Sequence, residues 1–191
     1  MRVVYYLNQF FGGLGGEDQA GAGLEIRDGA VGPGKLFEQL LGDGSQIVAT
    51  LICGDNFAVE NQQAVIADAL IAIGDAKPDL FVAGPCFLAG RYGMAAGALC
   101  AAVQAKLNIP VVTGMARENP GADLYREFMY IVDSGDNAAK MREVLARMAA
   151  LAMKLARHEN IGAPKDEGYI ARGLIRDQFV ERTAGERLVD M

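Results

Sequence analysis

The feature that most constrains the fold is an alternation of short, wholly apolar runs with longer segments of helical period. The runs contain almost no polar residue at alternate positions, which is the pattern of strands buried on both faces of a sheet. Five such runs are present, at Val3–Leu7, Ile47–Cys53, Leu80–Ala83, Pro110–Thr113 and Tyr130–Val132.

Segments with apolar residues at helical spacing lie between and after these runs. The clearest is Asn137–Arg157, and the others are Asn61–Ile73, Tyr92–Leu107 and a weaker one at Lys35–Leu41. Strand and helix in alternation predict an α/β fold with a mainly parallel, Rossmann- or flavodoxin-like sheet and helices on both of its faces. We expect about four or five strands, a common size for such a sheet.

The domain organisation follows from where this alternation stops. Residues 1–160 are predicted to form the α/β domain. Residues 161–191 contain several helix-breaking glycines and a stretch with charges of both signs, and are predicted to be an irregular C-terminal arm. The arm has apolar side chains but no helical stripe long enough to cover them, so we expect it to pack on a missing domain or a partner.

Composition excludes several classes of protein. The formal net charge is −6, which argues against a nucleic-acid partner because binding to phosphate requires a basic face. No apolar run approaches the roughly 18 residues of a membrane span, and no signal peptide is recognisable. Three cysteines are an odd number that suits a reducing cytoplasm. A single histidine and no paired cysteine spacing predict no metal site.

Four loops follow predicted strands, and parallel strands bring such loops to one edge of the sheet. The first is glycine-rich, and the amides of Gly13, Gly15 and Gly16 are candidates for binding an anion. The loop matches neither a phosphate loop nor a dinucleotide fingerprint, and Glu17 and Asp18 would repel a pyrophosphate. A tight structural turn is the alternative reading of these glycines.

The second loop carries Cys53, Asp55 and Asn56. Cys53 is a candidate nucleophile only if its surroundings lower the thiol pKa, which the nearby Asp55 carboxylate opposes. A small apolar filler is the alternative interpretation of Cys53. Asp55 and Asn56 are candidate substrate-binding residues.

The third and fourth loops add further polar candidates. Arg91 and Tyr92 begin a predicted helix, where a guanidinium could hold a substrate carboxylate bidentately or form an ordinary ion pair. Glu118 and Asn119 could bind an amine, although the Asn-Pro-Gly sequence is equally typical of a turn. We expect the loops to converge on one crevice.

Together these loops resemble the amino-terminal half of the selenoprotein B subunits of the glycine, sarcosine and betaine reductases. The resemblance covers nearly the whole chain, in order. The matching segments are Asn8–Phe11, Gly12–Glu17, Val31–Gly34, Ile52–Asn56, Pro78–Phe81, Ala89–Gly93, Val112–Met115, Glu118–Gly121 and Glu167–Ile170. The sequence departs from the family pattern at Cys86, where a small alanine is usual, and at Phe57–Val59, which is less aromatic.

The resemblance implies a shared chemistry. In that family a partner subunit carries a pyruvoyl group that activates the substrate amine. A selenolate then attacks the substrate carbon, and the C–N bond is cleaved reductively. It also implies a selenoprotein A-type carrier as a partner and a homo- or hetero-oligomer. The family's selenocysteine lies in its carboxyl-terminal half, and neither that motif nor a pyruvoyl precursor is recognisable in this sequence. We therefore expect no cofactor in this chain and no turnover by the chain alone.

Two functions remain open. The chain is either an enzyme subunit that lines half of a reductase active site, or a non-catalytic small-molecule-binding or assembly module derived from the same family. The sequence also leaves open which amino acid or N-methylated derivative is the substrate, and whether the rest of the family's length belongs to the same chain or to a split subunit.

Overall fold

The computed structural model describes residues 1–173 and has the predicted α/β architecture. Within those residues six strands form one sheet. They are β1 (Arg2–Asn8), β2 (Glu25–Asp28), β3 (Gln46–Cys53), β4 (Leu80–Ala83), β5 (Val111–Met115) and β6 (Tyr130–Asp133). The same residues form helices α1 (Gly34–Leu41), α2 (Asp55–Glu60), α3 (Gln62–Ala76), α4 (Gly90–Leu107), α5 (Pro120–Tyr125), α6 (Met141–Ala156) and α7 (Pro164–Glu167).

The strand order creates a crevice at one edge of the sheet. The order is β2-β3-β1-β4-β5-β6, and every neighbouring pair is parallel except β2 with β3. The five parallel strands alone follow the order 2-1-3-4-5, which is the flavodoxin-like order. β3 lies on one side of β1, whereas β4, β5 and β6 follow on the other side. The loops after β1 and β4 therefore turn to opposite faces of the sheet, and a crevice lies between them.

Helices cover both faces of this sheet, as predicted. Successive residues of the central strand β1 point to opposite faces. Tyr5 stacks on Phe37 of α1 with ring centroids 5.4 Å apart, in the core shared with α6. Tyr6 packs near Tyr92 of α4 at 6.0 Å, in the core shared with α3. β1 is thus buried on both faces, which explains its unbroken apolar sequence.

Four short elements were not predicted, namely β2, α2, α5 and α7, and with β2 the sheet has six strands where four or five were expected. β2 is an edge strand of four residues whose side chains alternate between half-buried and exposed, so it has no continuous apolar run. Helix α5 begins at Pro120, with Asn119 as its N-cap, where the Asn-Pro-Gly sequence had suggested only a turn. Proline at the first position of a helix after an asparagine cap is a helix-start signal as well as a turn signal.

The described part of the predicted arm, residues 161–173, packs against the chain's own sheet. Tyr169 forms an antiparallel bridge with Val132, and Ile170 is buried. Lys154 of α6 donates two hydrogen bonds to the carboxylate of Glu167, at 2.6 and 2.8 Å. Residues 174–191 lie outside the described residues, so the expectation that the arm packs on a missing domain or partner stays a prediction for them. None of the described helices is long and apolar enough to cross a membrane.

The close packing of α4 on α5 can be tested at a glycine. A Cβ at Gly121 would lie 2.4 Å from the backbone carbonyl of Gly93, and backbone cannot move aside cheaply. We expect Gly121→Ala to lower the free energy of unfolding by about 1–3 kcal/mol, measured by urea denaturation. Gly74 of α3 is the matched control, because nothing lies within 4 Å of its added Cβ. Gly74→Ala should stabilise the protein by about 0.5–1 kcal/mol through its helix propensity. Equal effects of the two substitutions would contradict the packing.

Candidate functional site

A cavity of about 380 Å³ lies in the crevice between the ends of β1 and β4. Its described lining comes from the segments that follow β1, β3, β4 and β6. The lining residues are Asn8, Gln9, Phe10, Phe11, Gly16, Glu17, Asp55, Cys86, Phe87, Leu88, Ala89 and Asp136. The cavity therefore occupies the position at which folds of this strand order bind their ligands.

Asp55 is the most buried carboxylate in this lining, with 6% of its surface exposed. It is the first residue of α2, directly after the turn that ends β3. Its Oδ2 atom accepts hydrogen bonds from Asn8 Nδ2 at 3.1 Å and from Gln9 Nε2 at 3.5 Å. Its backbone amide donates to Gln9 Oε1 at 2.9 Å. Its Oδ1 atom is buried and has no hydrogen-bond partner among the described residues. A buried acceptor left without a donor costs free energy that a ligand could recover.

Burial raises the pKa of Asp55 above its ordinary value of 3.8, since desolvation penalises the charged form. The hydrogen bonds from Asn8 and Gln9 oppose this rise, as does the positive charge of Arg91, while the negative charge of Glu17 adds to it. The carboxylate is thus held between two tendencies: the protein interior favours its neutral form, and the carboxamide donors favour its ionised form.

The other lining residues give the cavity an acidic and aromatic character. Glu17 and Asp136 add carboxylates, and no lysine, arginine or histidine is among the described lining residues. Phe11 and Phe87 contribute rings whose centroids lie 6.2 Å apart. Carboxylates together with aromatic faces attract a cation, and quaternary ammonium groups in particular. The arrangement is therefore suited to a cationic nitrogen.

Arg91, the predicted carboxylate ligand, lies beside the cavity and not in its lining. Its guanidinium donates to Asn56 Oδ1 at 2.6 Å and forms an ion pair with Glu17 at 2.5 Å. About half of the Arg91 side chain is exposed, so this pair by itself contributes little stability. The structure brings the two candidates Arg91 and Asn56 together, and it occupies the guanidinium with partners from its own chain.

Three other predicted site residues have different placements. Tyr92 is fully buried, and its hydroxyl donates to the Tyr6 carbonyl at 3.3 Å. Asn119 is also fully buried: it caps α5 and donates to the carbonyls of Phe87 and Ala89, so it fixes the β4 loop that lines the cavity. Glu118 is exposed and is not among the described lining residues. The loop after β5 therefore supports the crevice from behind instead of lining it.

The two cysteines near the site are not poised as nucleophiles. Cys53 ends β3 in full burial, and desolvation together with the Asp55 charge raises its pKa to about 11. Cys86 lines the cavity, and burial raises its pKa well above the ordinary thiol value. Their raised pKa favours the protonated thiol in both side chains at neutral pH, and the role of Cys53 stays a prediction. Among the described residues, no group of three metal-ligating side chains comes together.

The glycine-rich loop uses its amides within its own turn. Gly13 N donates to the Phe10 carbonyl at 3.2 Å, and Gly16 N donates to Asp18 Oδ1 at 3.1 Å. Gly13 and Gly15 have φ values of 74° and 154°, so both lie in backbone regions that favour glycine. Gly16 alone of the three predicted glycines lines the cavity. These contacts fit a tight structural turn better than an anion cradle.

Sequence reasoning missed the residues that hold Asp55. Asn8 and Gln9 stand directly after the apolar run of β1, but the predicted anion-binding groups of that loop were the glycines that follow. Two carboxamides at the end of a buried strand were the available signal, because the strand end faces the crevice. Cys86 follows a predicted strand and differs from the alanine usual in the family, but it was not predicted as a site residue. Asp136 follows β6 and carried no signal beyond that position.

Comparison with known proteins gives a consistent result. The family model described as glycine/sarcosine/betaine reductase selenoprotein B matches residues 1–191. The chain is 47% identical over 191 residues to the sarcosine reductase complex component B subunit beta of Peptoclostridium acidaminophilum. It is 47% identical over 190 residues to the glycine reductase complex component B subunit gamma of Carboxydothermus hydrogenoformans.

A third relative extends the range of named substrates. The chain is 41% identical over 192 residues to the betaine reductase complex component B subunit beta of Peptoclostridium acidaminophilum. In each of these three comparisons the alignment covers 100% of this chain and 44% of the relative, so the chain spans less than half the length of these curated relatives. No solved structure matches the chain significantly.

The burial of Asp55 generates a stability prediction. Because its folded-state pKa is raised, the folded protein holds the proton more tightly than the unfolded chain, and stability falls as pH rises through the folded-state pKa. We expect Asp55→Asn to raise the melting temperature at pH 7, by about 2–4 °C for each kcal/mol relieved. The gain should vanish below the ordinary value of 3.8, where the wild-type carboxyl is neutral in both states. Calorimetric scans of both proteins from pH 3 to pH 8 would check this. A lower melting temperature for Asp55→Asn at pH 7 would contradict it.

Proposed function

Since the chain belongs to the glycine/sarcosine/betaine reductase selenoprotein B family, we propose that it acts as a B-type subunit, or as part of one, in a complex that cleaves a C–N bond reductively. The substrate would be a small amino acid or an N-methylated derivative, and this chain would provide part of the binding site for it. The named relatives are components of sarcosine, glycine and betaine reductase complexes, which supports a role within an assembly.

The observation that carries this proposal is the buried Asp55 carboxylate in an acidic, aromatic cavity, with an Oδ1 atom that has no partner within the described part of the chain. Glycine, sarcosine and betaine share a positively charged nitrogen on a small carbon skeleton. An ionised carboxylate would accept a hydrogen bond from a primary or secondary ammonium group. The rings of Phe11 and Phe87 would contact a quaternary one, which has no hydrogen to donate. One cavity could therefore serve substrates that differ only in N-methylation.

The redox and activating chemistry would come from outside this chain. A pyruvoyl group on a partner subunit would supply an electrophile for the substrate amine, and a selenocysteine or cysteine segment would supply the reducing nucleophile. A selenoprotein A-type carrier would be a further partner. The residues described here fit a supporting role, since Cys53 and Cys86 are buried thiols whose pKa is raised. The role of the cavity residues would be to bind the substrate nitrogen and to restrict the access of water to it.

The mouth of the cavity offers a surface on which such a partner could dock. Phe10 is 65% exposed and Leu88 is 48% exposed, and both line the cavity. They follow β1 and β4, the two strands that frame the crevice. A partner seated over these side chains would bury their apolar surface and close the cavity at the same time.

The second candidate function is a non-catalytic small-molecule-binding or assembly module. The same cavity favours it equally if no redox segment ever joins the complex. The two functions differ in one measurable respect. A non-catalytic module would bind the substrate, but turnover would not depend on this chain's cavity.

Reconstitution tests the proposed function directly. We expect the purified chain alone to show no dithiol-dependent release of ammonia or methylamine from glycine or sarcosine, because no redox-competent thiol is exposed among the described residues. We expect activity after the chain is combined with a pyruvoyl-containing subunit, the selenocysteine or cysteine segment and the carrier. Asp55→Asn in that complex should lower kcat/KM by about ten- to a hundredfold, the usual loss for a charge-assisted contact.

Two outcomes would contradict the enzyme-subunit assignment. Turnover by the isolated chain would show that the redox group lies within it. Undiminished turnover in a complex that carries Asp55→Asn would remove this cavity from the active site. The variant Gln104→Leu is the control, since the Gln104 side chain donates one hydrogen bond, to the Phe128 carbonyl, and is not among the described lining residues of the cavity.

The assignment of Arg91 as the carboxylate ligand stays a prediction, and the structure sharpens its test. We expect Arg91→Ala to weaken binding of a small carboxylate about ten- to a hundredfold. Glu17→Gln should strengthen the same binding, because it removes the anion that now occupies the guanidinium. Calorimetric titration with sodium acetate and with betaine, on variants of equal melting temperature, would measure both effects. No change in either variant would leave the Glu17–Arg91 pair as a structural contact.

A further inference from the structure

Two carboxamides hold one side of the Asp55 carboxylate. Asn8 and Gln9 both donate to Oδ2, and Gln9 also accepts a hydrogen bond from the Asp55 backbone amide. Gln9 thus binds the side chain and the main chain of the same residue. Asn8 is itself fixed, since its Oδ1 accepts from the Phe11 amide at 3.0 Å. Asn8 and Gln9 are 4% and 2% exposed, so neither is free to turn toward water.

This arrangement treats the two oxygens of Asp55 differently. Oδ2 accepts from two N–H donors, whereas Oδ1 is buried and has no partner among residues 1–173, in a residue that lines the cavity. N–H donors favour the ionised form of the acid that accepts from them. The carboxamide pair therefore does two things: it fixes the orientation of the carboxylate in the cavity wall, and it opposes the protonation that burial favours.

The other titratable and charged groups around Asp55 do not replace this effect. Burial raises the pKa of each neighbouring tyrosine and cysteine, which favours its neutral form: these are Tyr6, Tyr92, Cys53 and Cys86. The two charged groups that act on Asp55 are Arg91, which favours its ionised form, and Glu17, which disfavours it. They are paired with each other, and their effects on Asp55 oppose one another.

We infer that Asn8 and Gln9 are positioning residues that present Asp55 to the cavity as an oriented carboxylate, and that they thereby make the cavity a site for a cationic nitrogen over the neutral pH range. The inference rests on the proposed function in one respect, the positive charge of the ligand. It adds which residues select that charge and how binding depends on pH.

A matched pair of probes isolates the charge. Choline and 3,3-dimethyl-1-butanol have nearly the same shape, but only choline carries a positive charge. Binding of each to the ¹⁵N-labelled chain would be followed by NMR between pH 4 and pH 8. Wild type should bind choline about ten- to a hundredfold more tightly than the neutral isostere at pH 7, the usual range for a contact with an ionised group. That preference should disappear at low pH and in Asp55→Asn.

Variants of Gln9 test the positioning role. Gln9→Leu removes the donor to Oδ2 and the acceptor for the Asp55 amide, so the pH at which the choline preference is lost should move upward. Gln9→Met is the second variant in case the branched side chain prevents folding, and Gln104→Leu is the control with one amide lost elsewhere. A purely structural role for Gln9 would lower the melting temperature and leave that pH unchanged, which would overturn the inference.

The probes also separate this inference from the proposed function. Absence of a choline preference in wild type, whether both probes bind equally or neither binds, overturns the cation site and its positioning residues. Reductase activity of the reconstituted complex is an independent measurement, and it can persist in that case. Conversely, a choline preference that depends on Gln9 in a complex without reductase activity supports the inference and rejects the enzyme-subunit function.

Discussion

The structure depends on one strand being buried on both faces. β1 lies between β3 and β4 in the sheet, and its residues Val3–Leu7 are 0–1% exposed. Burial of a strand on both faces requires that all of its backbone groups be paired and that its sequence be apolar without interruption. The apolar sequence ends at Asn8, which is the last residue of the strand. The polar side chains of Asn8 and Gln9 therefore lie at the crevice, where they hold Asp55.

The same burial explains why the site is chemically unusual for an acidic protein. A net charge of −6 places many carboxylates on the surface, where water solvates them. Asp55 is different because it is buried and its carboxylate accepts hydrogen bonds from two neighbouring carboxamides. Such an arrangement is less stable than a neutral one would be, and sites that bind charged ligands commonly retain this cost.

Much of the fold could be predicted from the sequence, and the site only in part. Strands buried on both faces and long amphipathic helices leave strong periodic signals, so β1, β3 to β6, α1, α3, α4 and α6 were all anticipated. β2 was not, because an edge strand of four residues has no periodic signal to distinguish it from a loop. Asp55 was anticipated from its position after a strand, but its contacts with Gln9 join residues 46 positions apart, which no local pattern reveals. The Arg91 pair with Glu17 joins residues even further apart.

The two outer strands of the sheet have a further significance for how the chain is made. An antiparallel segment covers each edge of the five parallel strands. β2 pairs with β3 at one edge, and Tyr169 forms a bridge with Val132 of β6 at the other. Open edges of a parallel sheet are templates for pairing with another molecule. The segment that pairs with β3 is synthesised before β3 itself. The residues that pair with β6, 168–170, are synthesised about 35 positions after it. The growing chain on the ribosome therefore passes through an interval in which one edge of its sheet is unprotected, and that edge is where misassembly between nascent copies would begin.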